Sequence, residues 1–356
     1  MRKVLLDGVA VGDGCLPYVI AEIGVNHGGD MSEAKRLIDL AKEGGAHAAK
    51  FQSYKAETIA SKNSPSYWDL TKEPTTNQFQ LFKKYDRFGE AEYRELAAHC
   101  ASVGITFLST PFDTAAIDFL DPLMPFYKIA SADLTNLPFL RRVASKGKPV
   151  VLSTGASTLS EIDLAIDELR RHGAESVVLL HCVLAYPTHY GDANLNMIDG
   201  LRHAYPDCVI GYSDHTLPDP DMEVLTAAWL KGAAVVEKHF TFDKTIVGND
   251  HFHSMDMHDL RRFCERTAFL RSLMGETLRR PLEVERVPRL NARRSIVLTR
   301  DVRAGDVVTE AMIVSKRPGS GISPLHWDEV IGMRLREDLP EDHVLQWSNL
   351  DPNKGP

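Results

Sequence analysis

The chain has no apolar run approaching the roughly 20 residues that a bilayer-spanning helix needs, so a membrane partner is not expected. It has no long basic tract, and its net charge of −8 points away from nucleic acid. Its five cysteines (15, 100, 182, 208 and 264) are odd in number and never spaced Cys-x-x-Cys. That argues against a disulfide framework and fits reduced thiols, most of them core filler. The opening Met1-Arg2-Lys3-Val4-Leu5-Leu6-Asp7-Gly8 lacks a signal-peptide core, and the expected location is cytoplasmic. No Gly-x-Gly-x-x-Gly or Gly-Lys-Ser/Thr phosphate loop occurs, and no Ser-His-Asp order is evident. What remains is an ordinary globular composition, 44% hydrophobic and 25% charged, in 356 residues that allow one large domain and a small one.

Short apolar runs alternate with segments of helical period. The strand candidates are Tyr18–Gly24, Ala46–Gln52, Thr106–Ser109, Phe126–Ala130, Pro149–Thr154, Ser176–Cys182, Cys208–Ser213 and Ala233–His239. Helical patterns include Ser32–Glu43, Glu90–Ser102, Leu159–Arg171, Met222–Lys231 and Asp259–Met274. Strands this continuously apolar are buried on both faces, and their alternation with helices predicts an α/β fold, a (β/α)8 TIM barrel. Residues 2–11 read as a hairpin that plugs the barrel bottom, and the long polar connection 53–88, with Tyr67-Trp68, as a substrate lid. After Met274 the runs shorten. Residues 1–275 are therefore expected to form the barrel domain, 276–292 a linker, and 293–356 a small mostly-β domain.

Active sites of such barrels lie at the C-terminal mouth, built from strand ends. Polar residues end every predicted strand: Glu22, Lys50 and Gln52, Ser109-Thr110, Lys128 with Ser131 and Asp133, Ser153-Thr154, His181 then Tyr186, Ser213 and His215, and Glu237 and His239. Such a set does not suit a simple stabilising core, because buried charge costs several kcal/mol unless paired. Two lysines with several hydroxyls (Thr110, Ser131, Ser153, Ser213) suit a phosphate or carboxylate. The imidazoles of His215 and His239 suit a divalent metal. Glu22, Asp133 and Asp250 could hold water or sugar hydroxyls. The inventory suggests a small phosphorylated anion beside a metal-polarised electrophile.

In order along the chain, several motifs resemble the sialic acid synthase (N-acetylneuraminate synthase) family. They are Ala21-Glu22-Ile23-Gly24-Val25-Asn26-His27, Lys50-Phe51-Gln52, Ser109-Thr110-Pro111-Phe112-Asp113, Lys128-Ile129-Ala130-Ser131, Leu152-Ser153-Thr154-Gly155, Tyr186-Pro187, Ser213-Asp214-His215-Thr216, Glu237-Lys238-His239-Phe240 and Asp250-His251. The end of the chain, with Arg293-Arg294-Ser295 and Lys316-Arg317-Pro318-Gly319-Ser320-Gly321-Ile322-Ser323, resembles the antifreeze-like (SAF) domain of the same proteins.

The resemblance implies a phosphoenolpyruvate-dependent synthase of nine-carbon 2-keto sugar acids, in a domain-swapped homodimer. His215 and His239 would bind Mn2+, with Mg2+ or Co2+ as alternatives. Lys50, Thr110, Lys128, Ser131, Ser153 and Ser213 would hold phosphoenolpyruvate. Gln52, Asp133, Tyr186, Asp250 and Arg317 would contact the amino sugar, Arg317 from the partner protomer. Glu22 and Asp250 join the two histidines as the catalytic set. N-acetylmannosamine is the default sugar; a 2,4-diacetamido-trideoxy hexose, giving a legionaminic- or pseudaminic-type acid, and a 6-phosphorylated sugar are the rivals.

The chain departs from the family's usual pattern at Gly248-Asn249-Asp250-His251, at Asp133 and Leu184, and at His253, which reads as an extra, solvent-exposed histidine or one that meets a different substituent. Two other classes stay open: a metal-dependent pyruvate aldolase on the same barrel, and a non-catalytic carbohydrate-binding protein.

Overall fold

The structure is a computed structural model that describes residues 2–68, 70–71, 73–248 and 250–351. The chain divides into two compact units, Met1–Gly275 and Glu276–Pro356. No helix among the described residues is long and apolar enough to cross a membrane.

In the first unit an antiparallel hairpin, β1 (Lys3–Leu6) and β2 (Val9–Gly12), precedes eight parallel strands. These are β3 (Tyr18–Gly24), β4 (Ala48–Ser53), β5 (Thr106–Pro111), β6 (Tyr127–Ile129), β7 (Val150–Ser153), β8 (Val177–Cys182), β9 (Val209–Asp214) and β10 (Val235–His239). Hydrogen-bonded neighbours run β5-β4-β3-β10-β9-β8-β7-β6. Strand β3 therefore pairs with β10, and the ring is a nearly closed TIM-like barrel whose seam lies between β5 and β6. Every expected strand forms, and no end moves by more than two residues.

The strands are apolar on both faces because both faces are buried; all seven residues of β3 are. Helices cover the outside. In Met31–Gly44 the burial of Leu37, Ile38, Ala41 and Gly44 follows the helical period, so one stripe faces the barrel. Asp30 caps its first turn by accepting from the backbone N–H groups of Ser32 and Glu33, a contact that contributes about 1 kcal/mol. Gly45 ends it with φ 101°, a conformation that favours glycine. The hairpin sits at the N-terminal end of the barrel. Leu6 is fully buried in the barrel core, and Asp7 accepts a hydrogen bond from Thr106, the first residue of β5. The lid segment is not a plain loop, for it carries short helices at Ala56–Ile59 and Gln78–Tyr85.

In the second unit β11 (Ser295–Leu298) pairs antiparallel with β12 (Ile313–Lys316), and β13 (Arg334–Leu335) with β14 (Leu350–Asp351). Ile296, Leu298, Val308, Val330 and Leu345 form its core. The segment 276–292 is more ordered than a linker, since Arg286–Ala292 is helical.

Candidate active site

Parallel neighbours in register turn paired side chains toward the same side of the sheet. Glu22 pairs with Lys50 on one flank and His239 on the other, and Ser213 pairs with Cys182 and Glu237. All six line a cavity of about 490 Å³, and its other walls come from strand ends and the loops beyond them, which is the C-terminal mouth. Gln52, Thr110, Lys128, Ser131, Asp133, Ser153, Tyr186, His215 and Asp250 line the same cavity. Thus the mouth brings together every barrel residue expected to bind metal, phosphoenolpyruvate or sugar, though not every polar strand-end residue. Arg317 is exposed on the second unit, just after β12.

The floor of the cavity is a quartet of buried charges. Lys50 Nζ lies 2.6 Å from Glu22 Oε2 and 3.7 Å from Glu237 Oε2, and Lys128 Nζ lies 3.3 Å from Glu237 Oε1. None of the four side chains is more than 6% exposed. Hydrogen bonds fix their orientation: Gln52 donates to Glu22 at 2.8 Å, Lys50 to Thr110 at 2.9 Å, and Ser213 to Glu237 at 3.1 Å. Burial pushes Glu22 above the usual carboxylate range, and the charge of Glu237 adds to this while Lys50 opposes it. Burial works against charge on Lys50, but Glu22 and Glu237 outweigh it and hold the ammonium above its ordinary value. Lys128 goes the other way: burial, reinforced by Lys50, holds it below the usual lysine range, against the pull of Glu237. The buried hydroxyl of Ser153 has no hydrogen-bond partner, which leaves a donor aimed at the cavity.

Beside the quartet stands a cluster of metal-binding groups. Nδ1 of His215 lies 2.8 Å from the carbonyl oxygen of Val183. A carbonyl only accepts, so Nδ1 carries a proton, and Nε2 is the nitrogen open to a metal. The ring of His239 is 5.5 Å from that of His215 and 4.8 Å from that of His253, centre to centre. His239, Asp250 and His253 offer donor atoms that all lie within 4.8 Å of one another. Burial, with the neighbouring imidazoles, holds His239 and His253 well below the usual histidine range, so both are neutral near pH 7 and able to coordinate. Burial pushes Asp250 up to about 7. These donors fit a divalent ion.

His253 corrects the expectation of an exposed residue, for it is 0% exposed. A single turn, His251–His253, folds it inward. Ser254 then donates to the Asp250 carbonyl and accepts from Asn26, which fastens the turn to the end of β3. Asn249, beside it, lies outside the described residues. His181 is a second correction. It points away from the cavity, stacks on Tyr212 and bonds to the carbonyl of Ala193, while Cys182 takes the place at the mouth. Ser109 likewise faces away and bonds Ser53, whereas Thr110 faces in. The connection 53–88 contributes Tyr67, Trp68, Glu73 and Tyr85 to the cavity wall.

On the outer side of the same strands Lys238 donates to Asp214 at 2.5 Å and to the Thr216 carbonyl at 2.7 Å. Asp214 in turn accepts from the Thr216 backbone and hydroxyl and from Tyr212. This buried network ties the end of β9 to the end of β10, directly behind the two strand-end histidines.

Residues 37–279 match the NeuB family and residues 293–351 the SAF domain. The chain is 35% identical over 333 residues to an N,N'-diacetyllegionaminic acid synthase of Campylobacter jejuni, covering 92% of this chain and 98% of that protein. It is 37% identical to an N,N'-diacetyllegionaminic acid synthase of Legionella pneumophila, with 94% of each chain covered. A crystal structure of an N-acetylneuraminic acid synthetase from Leptospira borgpetersenii is similar with a TM-score of 0.70 and 32% identity, covering 81% of this chain and 95% of that one.

Proposed function

The chain belongs to the NeuB family and is a synthase of the transferase class, and on that footing we propose that it condenses phosphoenolpyruvate, an open-chain N-acylated amino sugar and water into a nine-carbon 2-keto-3-deoxy sugar acid, with release of phosphate. The observation that carries this reading is the buried quartet of Lys50, Lys128, Glu22 and Glu237 next to the histidine cluster. A binding-only protein has little use for four charges sealed in a cavity floor, because their burial opposes folding.

In this reading Lys50 and Lys128 hold the phosphate and carboxylate of phosphoenolpyruvate. Thr110, Ser131, Ser153 and Ser213 add hydroxyl contacts, and Ser153 supplies a donor that has no other partner. Neither lysine forms a Schiff base. A divalent ion held by the histidine cluster would supply Lewis-acid polarisation of the sugar aldehyde. Attack by C3 of phosphoenolpyruvate on the aldehyde carbon leaves positive charge at C2, and Glu22 stabilises it. Water then adds at C2, positioned by Glu22 and Asp250, and phosphate departs by C–O cleavage. Gln52 keeps Glu22 oriented through its 2.8 Å hydrogen bond.

For the acceptor we favour a 2,4-diacetamido-trideoxy hexose over N-acetylmannosamine, because two relatives are N,N'-diacetyllegionaminic acid synthases. The apolar surfaces of Leu184 and Phe252 at the cavity suit a deoxygenated sugar edge. A 6-phosphorylated sugar has less support: among the described residues, Lys50 and Lys128 are the only lysine or arginine side chains in the lining, and both are already engaged. Asp133 and Tyr186 would contact the sugar, and Arg317 of a second copy its acyl-amino group, in a domain-swapped dimer. We read the first unit as the synthase domain and the second as the antifreeze-like domain.

Phosphate release over a panel of amino sugars tests the proposal. Release that needs both sugar and metal, greatest with the 2,4-diacetamido sugar, is expected. Turnover with pyruvate in place of phosphoenolpyruvate would mean an aldolase instead, and no release with any sugar would mean a binding protein.

A further inference from the structure

The metal ligands expected from the sequence are His215 and His239, and His253 stands beside them without an assigned role. Its ring is fully buried, and both of its nitrogens lack a hydrogen-bond partner. A buried imidazole left so is unfavourable unless something occupies it. Its Nε2 lies 3.8 Å from Asp250 Oδ1, and the other carboxylate oxygen of Asp250 lies 3.4 Å from His239 Nδ1, a nitrogen that likewise has no hydrogen-bond partner. One donor atom from each of the three residues lies within 4.8 Å of the other two, around one small space.

We propose that His253 is a third imidazole ligand, so that the mouth holds a divalent ion through His215, His239 and His253, with Asp250 as a carboxylate donor. This rests on the preceding reading only in taking the mouth to be a metal centre. Ring spacing supports it. With metal–nitrogen bonds of about 2.1 Å, two imidazoles on one ion have ring centres no more than about 6.5 Å apart. The observed separations are 5.5 Å for His215–His239, 4.8 Å for His239–His253 and 6.4 Å for His215–His253. All three pairs fall within that reach; the widest, His215–His253, does so only with the two rings nearly opposite each other on the ion, and His215 stands outside the tighter group of His239, Asp250 and His253.

The third imidazole changes which ion is preferred. Each added nitrogen donor favours metals later in the first transition row over Mn2+, and it disfavours Mg2+, which takes oxygen ligands. The site is therefore expected to bind Co2+ and Zn2+ at least about 100-fold more tightly than Mn2+.

The test uses the full-length protein, stripped with chelator and titrated with Co2+, whose visible absorption reports its ligands. X-ray absorption of the Co2+ form should count three imidazoles; a count of two would overturn the proposal. His253→Ala should weaken Co2+ binding at least about 30-fold and alter the spectrum. His253→Gln, which retains bulk and polarity, should behave alike and guards against misfolding of the alanine variant. Unchanged affinity and spectrum in a folded variant would sink the third ligand. Loss of Co2+ binding in His215→Ala and His239→Ala alone would leave the two-histidine centre standing. Unchanged binding in all of them would remove the metal centre itself.

Discussion

Lys50 reaches Glu22 across the register of β3 and β4, its ammonium 2.6 Å from the carboxylate, and each side chain is only 3% exposed. Burial alone would strip both of charge; Lys50 opposes that loss at Glu22 against the repulsion of Glu237, while both carboxylates hold the charge on Lys50. Replacing Glu22 with Gln keeps the shape and a hydrogen-bond acceptor but removes the charge that stabilises C2. We expect kcat to fall about 100-fold or more, with the KM for phosphoenolpyruvate little changed. A large KM effect with kcat preserved would assign Glu22 to binding.

Lys128 must be charged to hold an anion, and burial holds it below the ordinary lysine range. The charged form is lost as pH rises through that lowered value. The KM for phosphoenolpyruvate should therefore climb at alkaline pH before kcat changes. Lys128→Arg keeps its proton throughout and should shift the climb upward or abolish it. An identical pH profile in the two proteins would show that another group controls binding.

Asp250 gives a stability prediction for the metal-free protein. Its carboxyl, pushed up to about 7 from the usual 3.8, lends stability while protonated, and that is lost as pH rises through about 7. Full conversion of such a shift is about 4 kcal/mol, but the side chain is 27% exposed and solvent screens it, so we expect about 2 kcal/mol. Asp250→Asn should match the wild type near pH 4 and exceed its unfolding free energy near pH 8, as urea titrations would register. Adding the metal should reverse the order, since the carboxylate coordinates a divalent ion more strongly than the neutral amide.

Gly211 lies on β9 two residues before Ser213. A Cβ there would press on Leu180 and come within 2.5 Å of the Val235 backbone oxygen. Gly211→Ala should cost about 1–3 kcal/mol of stability and displace Ser213. Calorimetry and the phosphoenolpyruvate KM together would test this; a neutral variant would mean that the strand shifts freely.

Arg317→Ala should raise the KM of the sugar more than that of phosphoenolpyruvate. Equal effects would argue against contact with the acyl-amino group.

The barrel was legible because parallel strands buried on both faces read as unbroken apolar runs, and a polar residue that ends such a run stands out. The choice between adjacent polar residues was harder. His181 attracted attention as a histidine, yet the register that pairs Ser213 with Cys182 turns Cys182 to the mouth and His181 away. That register is a relation between two strands and cannot be counted along either one. His253 had no such signal. It sits in one short turn with neither period, and its burial depends on the contact of Asn26 with Ser254, far apart in sequence. Glu237 was visible as a strand-end acid, but its bridging of two lysines requires their positions in space.

The network of Lys238, Asp214 and Thr216 fixes the ends of β9 and β10 from behind. The histidines it carries, His215 and His239, consequently wait in a scaffold that is set before any ion arrives. Capture of the ion should then be a single fast step, limited by diffusion through the mouth and by shedding of the ion's own water.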